Sequence, residues 1–110
     1  MKIAIIIRVY NRIEDLENNL RIIRDTWTDN DYYIIVVSNG YSHGYTISEE
    51  AKTLIDKLVI LEENAGHKKG NAQLLIEGLK YIPQEYKYTM ILEADTWVYQ
   101  DTTISRYIQL

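Results

Sequence analysis

Two carboxylates stand one residue apart at the point where an apolar run stops. They are Glu93 and Asp95, in the stretch MILEADTWV. In a regular strand such residues point to the same face, and two carboxylates so placed repel each other unless a cation lies between them. Mg²⁺ and Mn²⁺ take carboxylate ligands and complete their coordination with water and phosphate oxygens. The spacing therefore predicts a divalent metal site. The alternative is two solvated acids, with Asp95 capping the following turn.

Polar residues also follow the three earlier apolar runs. These segments are Val9-Tyr10-Asn11, Ser38-Asn39-Gly40 and Gly66-His67-Lys68-Lys69-Gly70. With the acidic pair they offer an aromatic ring, amides, glycine turns and cations, which are the groups that bind a nucleoside diphosphate and its metal. Each also has a simpler interpretation. Asn39-Gly40 is a common turn pair, Tyr10 could pack beneath its own loop, and His67 is more typical of a polar loop than of a metal site.

The apolar runs predict strands, and the segments between them predict helices. Strands are expected at 2–7, 32–38, 58–61 and 88–94, and helices at about 11–27, 48–57 and 71–81. Asn11 is expected to cap the first helix, with Glu14 completing a capping box. The order βαβαβαβ with continuously apolar strands predicts an α/β fold, a Rossmann-like, doubly wound and mostly parallel four-stranded sheet. Ligands of such sheets bind beyond the carboxyl ends of the strands.

Composition limits the class of protein. The chain has 110 residues, which predicts a single domain over 1–110. A net charge of −4 argues against nucleic-acid binding, and the lack of cysteine excludes disulfides and thiolate metal sites. Only five apolar residues separate Lys2 from Arg8, too few for a signal peptide or a membrane span. We therefore expect a cytoplasmic protein with no transmembrane segment.

Four segments, taken in the order in which they occur along the chain, resemble the landmarks of family 2 GT-A glycosyltransferases, most closely the rhamnosyltransferase-like group. They read IIRVYNRIEDLENNL, IIVVSNGYSHGYT, ENAGHKKGNAQLLIEGLKY and YTMILEADTWV. The resemblance covers nearly the whole chain but only the N-terminal, nucleotide-binding half of the family's domain. It implies a glycosyltransferase, or its donor-binding half, that binds a nucleoside-diphosphate sugar with Mg²⁺ or Mn²⁺.

The resemblance also implies roles for individual residues. Tyr10 matches the aromatic position placed against the nucleobase. Ser38 stands where most members have an acid that contacts the base, which leaves Asn39 as the remaining polar candidate. Glu93 and Asp95 match the D-x-D motif, with Asp95 the expected metal ligand, and Arg8 replaces the usual proline. The full expected nucleotide-binding set is Val9, Tyr10, Asn11, Ser38, Asn39, Gly40, Gly66, His67, Lys69, Gly70 and Asp95.

The resemblance also indicates what this stretch of chain lacks. The family's acceptor site and general base lie well beyond D-x-D, so transfer by these 110 residues alone is not expected. The fourth strand is expected to be covered by a second domain or by another copy of the chain. Two alternative functions remain open, a non-catalytic nucleotide-binding module and an α/β protein-interaction module.

Overall fold

The chain folds into one parallel sheet with helices in the connections. The computed structural model describes residues 2–61 and 76–94. The elements are β1 (Lys2–Val9), α1 (Ile13–Thr26), β2 (Asp31–Ser38), a 3-10 turn (Tyr41–His43), α2 (Glu49–Lys52), β3 (Lys57–Ile60) and β4 (Tyr88–Glu93). Residues 76–79, between β3 and β4, are also helical.

The sheet is doubly wound, as the sequence predicted. In the described part of the chain, its four strands are ordered β3-β2-β1-β4, and each adjacent pair is parallel. The chain steps from β1 to β2 to β3 in one direction and then returns to place β4 on the other side of β1. The topological switch point therefore lies between the carboxyl ends of β1 and β4, where ligands of doubly wound sheets bind.

The central strand β1 is apolar because both of its faces are covered. Residues 3–7 are buried throughout. On one face, Ile5 and Ile7 pack with the α1 residues Leu16 and Leu20 in the larger core cluster. On the other face, Ile6 packs with β2 and β3 in a smaller cluster. The three-and-four spacing along α1 thus gives that helix one buried stripe, which lies on the sheet.

Two details of the predicted helices were wrong. The first helix begins at Ile13, and its N-cap residue is Arg12, which makes no side-chain capping bond; Asn11 lies outside the helix. The second helix spans only Glu49–Lys52, because the chain has already joined the sheet at Lys57. Its start agrees with prediction, since Ser48 Oγ accepts a hydrogen bond from the backbone N–H of Ala51 at 3.1 Å. Within the described residues, no helix has the length and apolarity needed to cross a membrane.

One side-chain network ties α1 to the start of β3. A carboxylate oxygen of Asp56, Oδ2, accepts from the backbone N–H of Ile34 at 2.7 Å and from Arg24 Nη2 at 2.8 Å. Arg24 Nε donates to the carbonyl of Leu54 at 3.0 Å. The backbone N–H of Asp56 donates to the carbonyl of Ile34 at 3.0 Å. Asp56 therefore fixes the position at which the chain leaves α2 and enters β3.

We predict that Asp56→Ala lowers the free energy of unfolding by about 2 kcal/mol, because it leaves the half-buried Arg24 and the Ile34 N–H without their acceptor. The measurement is urea denaturation followed by circular dichroism. Asp25→Ala is the matched control, since Asp25 is exposed near the end of α1, and its substitution should shift stability by less than about 0.5 kcal/mol. Equal losses in the two variants would contradict a structural role for Asp56.

Candidate functional site

The carboxyl ends of β1 and β2 lie against each other and bring two predicted binding segments together. Val9 and Ser38 are paired in register, and the backbone N–H of Asn39 donates to the carbonyl of Val9 at 3.1 Å. Gly40 comes so close to Tyr10 that a Cβ on residue 40 would lie 2.2 Å from the Tyr10 carbonyl oxygen. The approach of the two loops therefore requires glycine at position 40.

Two buried oxygen atoms at this edge have no hydrogen-bond partner. They are Ser38 Oγ and Asn39 Oδ1. Ser38 is fully buried and Asn39 is 8% exposed. Leaving such an atom unsatisfied costs about 1–3 kcal/mol, so buried polar groups in folded proteins are nearly always paired. Two unpaired oxygens on adjacent residues at a strand end are typical of a place where a bound molecule supplies the missing hydrogen bonds.

An aromatic cluster, consisting of Tyr10, His43 and Tyr45, is formed by the segments that follow β1 and β2. The ring of Tyr10 meets that of His43 edge-on at 5.8 Å and that of Tyr45 at 5.3 Å between centroids. The backbone N–H of Tyr45 donates to the carbonyl of Gly40 at 3.1 Å, and the residue is 38% exposed. Sequence reasoning singled out Tyr10 but missed His43 and Tyr45 as its neighbours. The available signal was the aromatic-rich YSHGY directly after Gly40.

Glu93 lies at the same edge of the sheet, and its partner is Arg8. The two residues face each other in the register of β1 and β4, and Arg8 Nη2 forms an ion pair with Glu93 Oε1. The Glu93 side chain is 54% exposed, whereas that of Arg8 is only 16% exposed. The sequence expectation placed Glu93 beside a metal, and the described residues place it beside a guanidinium.

The remaining predicted site residues divide into two groups. Asn11 is exposed just beyond β1, at the same edge. Gly66, His67, Lys69, Gly70 and Asp95 lie outside the described residues. Among residues 2–61 and 76–94, no three histidine or acidic side chains gather closely enough to hold a metal ion. The metal prediction therefore depends on Asp95 and stays a prediction.

We predict that Gly40→Ala disrupts this edge, because its methyl group would collide with the Tyr10 carbonyl, and that stability falls by about 2 kcal/mol. Thermal denaturation measures the loss, and near-ultraviolet circular dichroism reports the packing of the aromatic residues, those of the cluster included. Gly44→Ala is the comparison, because Gly44 has open space around it but a φ of +89°. It should cost about 1 kcal/mol through backbone strain while leaving the aromatic signal intact. An unchanged aromatic signal in Gly40→Ala would contradict the close approach.

Comparison with known proteins identifies the fold. No protein-family model matches the chain, and no curated protein matches it either. The crystal structure of S. aureus TarS 1-349 superposes with a TM-score of 0.74 at 18% identity, covering 98% of this chain and 32% of that one. A second crystal structure of S. aureus TarS gives a TM-score of 0.68 at 18% identity, covering 98% of this chain and 19% of that one. The chain thus spans about a third or less of the proteins it resembles. At this identity the likeness shows the fold alone, which is a Rossmann-like α/β fold with a parallel sheet.

Proposed function

We propose that this chain binds a nucleoside-diphosphate sugar at the carboxyl edge of its sheet, as the donor-binding part of a glycosyltransferase. The observation that carries the proposal is the pair of buried, unpartnered oxygens, Ser38 Oγ and Asn39 Oδ1, beside the aromatic cluster. The doubly wound fold supports the proposal, because it puts these groups at the edge where such sheets bind ligands. The resemblance of the sequence to family 2 GT-A glycosyltransferases supports a sugar nucleotide as the ligand.

The chemistry of the edge suits a nucleotide. A nucleobase can stack on an aromatic ring, which Tyr10 offers, and its edge carries N–H groups and carbonyls. Asn39 Oδ1 can accept a hydrogen bond from such an N–H, and the Ser38 hydroxyl can either donate or accept. Neither side chain carries a charge, so both would recognise the base by hydrogen bonding and shape.

We expect the diphosphate of the nucleotide to lie near the carboxyl end of β4. Asp95 would hold Mg²⁺ or Mn²⁺ there, as the resemblance of the sequence implies. When bound, the metal would offset the negative charge of the departing diphosphate. We also expect the diphosphate to be bound by His67, Lys69 and the glycines that flank them.

Sugar transfer itself needs more than a donor site. A hydroxyl acceptor must be positioned, and a base must remove its proton as it attacks the sugar carbon. None of the described residues is assigned that role. Ser38, which stands where most members of the family that the chain resembles have an acid, supports a second candidate function, a non-catalytic nucleotide-binding module that would share the donor site.

We expect wild-type chain to bind at least one of UDP, TDP and GDP in a calorimetric titration. Asn39→Ala should weaken that binding about tenfold, because it removes a buried hydrogen bond worth roughly 1.4 kcal/mol. Mn²⁺ should strengthen the binding, and Asp95→Ala should abolish the strengthening.

Asn18→Ala is the matched control for Asn39→Ala, because Asn18 lies within α1 and accepts a hydrogen bond from Arg21 at 3.2 Å. Its nucleotide affinity should equal that of the wild type. Failure of all three nucleotides to bind at millimolar concentration would reject the proposal and leave the protein-interaction module as the alternative.

A further inference from the structure

The Arg8–Glu93 ion pair joins the two strands that flank the topological switch point. β1 and β4 are parallel neighbours with these residues opposite each other, and the guanidinium contacts the carboxylate near the carboxyl ends of both strands. Because the chain adds β2 and β3 on one side of β1 and then crosses over to add β4 on the other side, this is where such a sheet has a crevice for a ligand. A positive charge is therefore fixed in the chain at the expected ligand position.

Arg8 is more buried than one half-exposed carboxylate would account for. Its side chain is 16% exposed, and its Nε is buried without a hydrogen-bond partner. A guanidinium carries five N–H donors, and a buried one is costly unless they are satisfied. Phosphate groups supply several acceptor oxygens in a geometry that matches the guanidinium fork. The unsatisfied donor thus favours a phosphate-bearing ligand over Glu93 alone.

The Arg8–Glu93 ion pair also removes the reason to expect a metal ion at Glu93. The E-x-D spacing predicts a metal because two carboxylates on one face repel each other. Arg8 already neutralises the Glu93 carboxylate, so no second cation is required to relieve that repulsion. A metal bound by Glu93 would also lie beside a positively charged guanidinium, which opposes its binding. Glu93 therefore does not fit the role of metal ligand.

We infer that Arg8 binds the diphosphate of the nucleotide and that Glu93 is the counter-ion of Arg8 rather than a ligand of the metal. This inference rests on the proposed function and deepens it, because it names the residue that recognises the diphosphate. Arg8 gives nucleotide binding a component that needs no metal. Asp95 accounts for whatever additional affinity Mn²⁺ provides.

The test is calorimetric titration with UDP, TDP and GDP, once in EDTA and once in Mn²⁺. In EDTA, Arg8→Gln should weaken nucleotide binding about tenfold by loss of a charge-assisted contact. Arg8→Lys should restore only part of it, because an ammonium group keeps the charge but lacks the guanidinium fork. Glu93→Gln should bind at least as tightly as wild type in EDTA and should keep the full strengthening by Mn²⁺. Arg21→Gln is the control, because Arg21 lies on α1 with its side chain 45% exposed, and it should match wild type.

Loss of the fold in Arg8→Gln is controlled by a second variant. Arg8→Gln combined with Glu93→Gln removes both charges, so it leaves no unpaired carboxylate at the strand ends, and it should show the same tenfold loss in EDTA. Circular dichroism establishes that both variants are folded.

The outcomes separate the inference from the proposed function. The inference is overturned if wild type binds only with Mn²⁺, if folded Arg8→Gln binds normally in EDTA, or if Glu93→Gln loses the Mn²⁺ effect as Asp95→Ala does. In each of these cases nucleotide binding stands. Absence of binding by wild type in both buffers rejects the proposed function and the inference together.

Discussion

The burial of β1 between β2 and β4 is the constraint on which the rest of the structure depends. Its residues 3–7 are all buried, and both of its edges are hydrogen-bonded to parallel neighbours. A slip of one residue would move Arg8 to the α1 side of the sheet and would move Ile5 and Ile7 into the core cluster on the other face. The apolar pattern therefore sets the register, and the register sets which polar residues meet at the carboxyl edge.

The polar groups at the two ends of the sheet differ in how fully they are hydrogen-bonded. Towards the amino ends of β2 and β3, Asp56 and Arg24 have well-formed hydrogen bonds to each other and to the backbone. At the carboxyl edge, Ser38, Asn39 and Arg8 each carry a buried atom without a partner. Local violations of hydrogen-bond satisfaction in an otherwise consistent fold are expected at functional sites. The contrast is the physical reason for placing the ligand at the carboxyl edge.

The proposed site divides recognition between two pairs of strands. Where β1 meets β2, the aromatic cluster and the uncharged oxygens of Ser38 and Asn39 suit a base. Where β1 meets β4, Arg8 and Glu93 suit a charged group. The end of β1 contributes to both, because Arg8 precedes its last residue, Val9, and Tyr10 follows it. A nucleotide bound across the end of β1 would place its base at the aromatic cluster and its diphosphate at Arg8.

The sequence by itself determined the strands, the long helix, the parallel order and the group of polar residues at the strand ends. Apolar runs and helical spacing are local signals, and right-handed crossovers then allow few arrangements. Tertiary structure decided which partner each polar residue has. Glu93 pairs with Arg8 because strands far apart in sequence are adjacent in the sheet, and His43 meets Tyr10 because Gly40 permits a close approach of two loops. The helix cap likewise fell at Arg12 instead of Asn11, since the path from β1 into α1 depends on packing against the sheet. Which residues become partners depends on the register of the strands and on how closely backbone segments approach each other. Local sequence patterns contain neither kind of information.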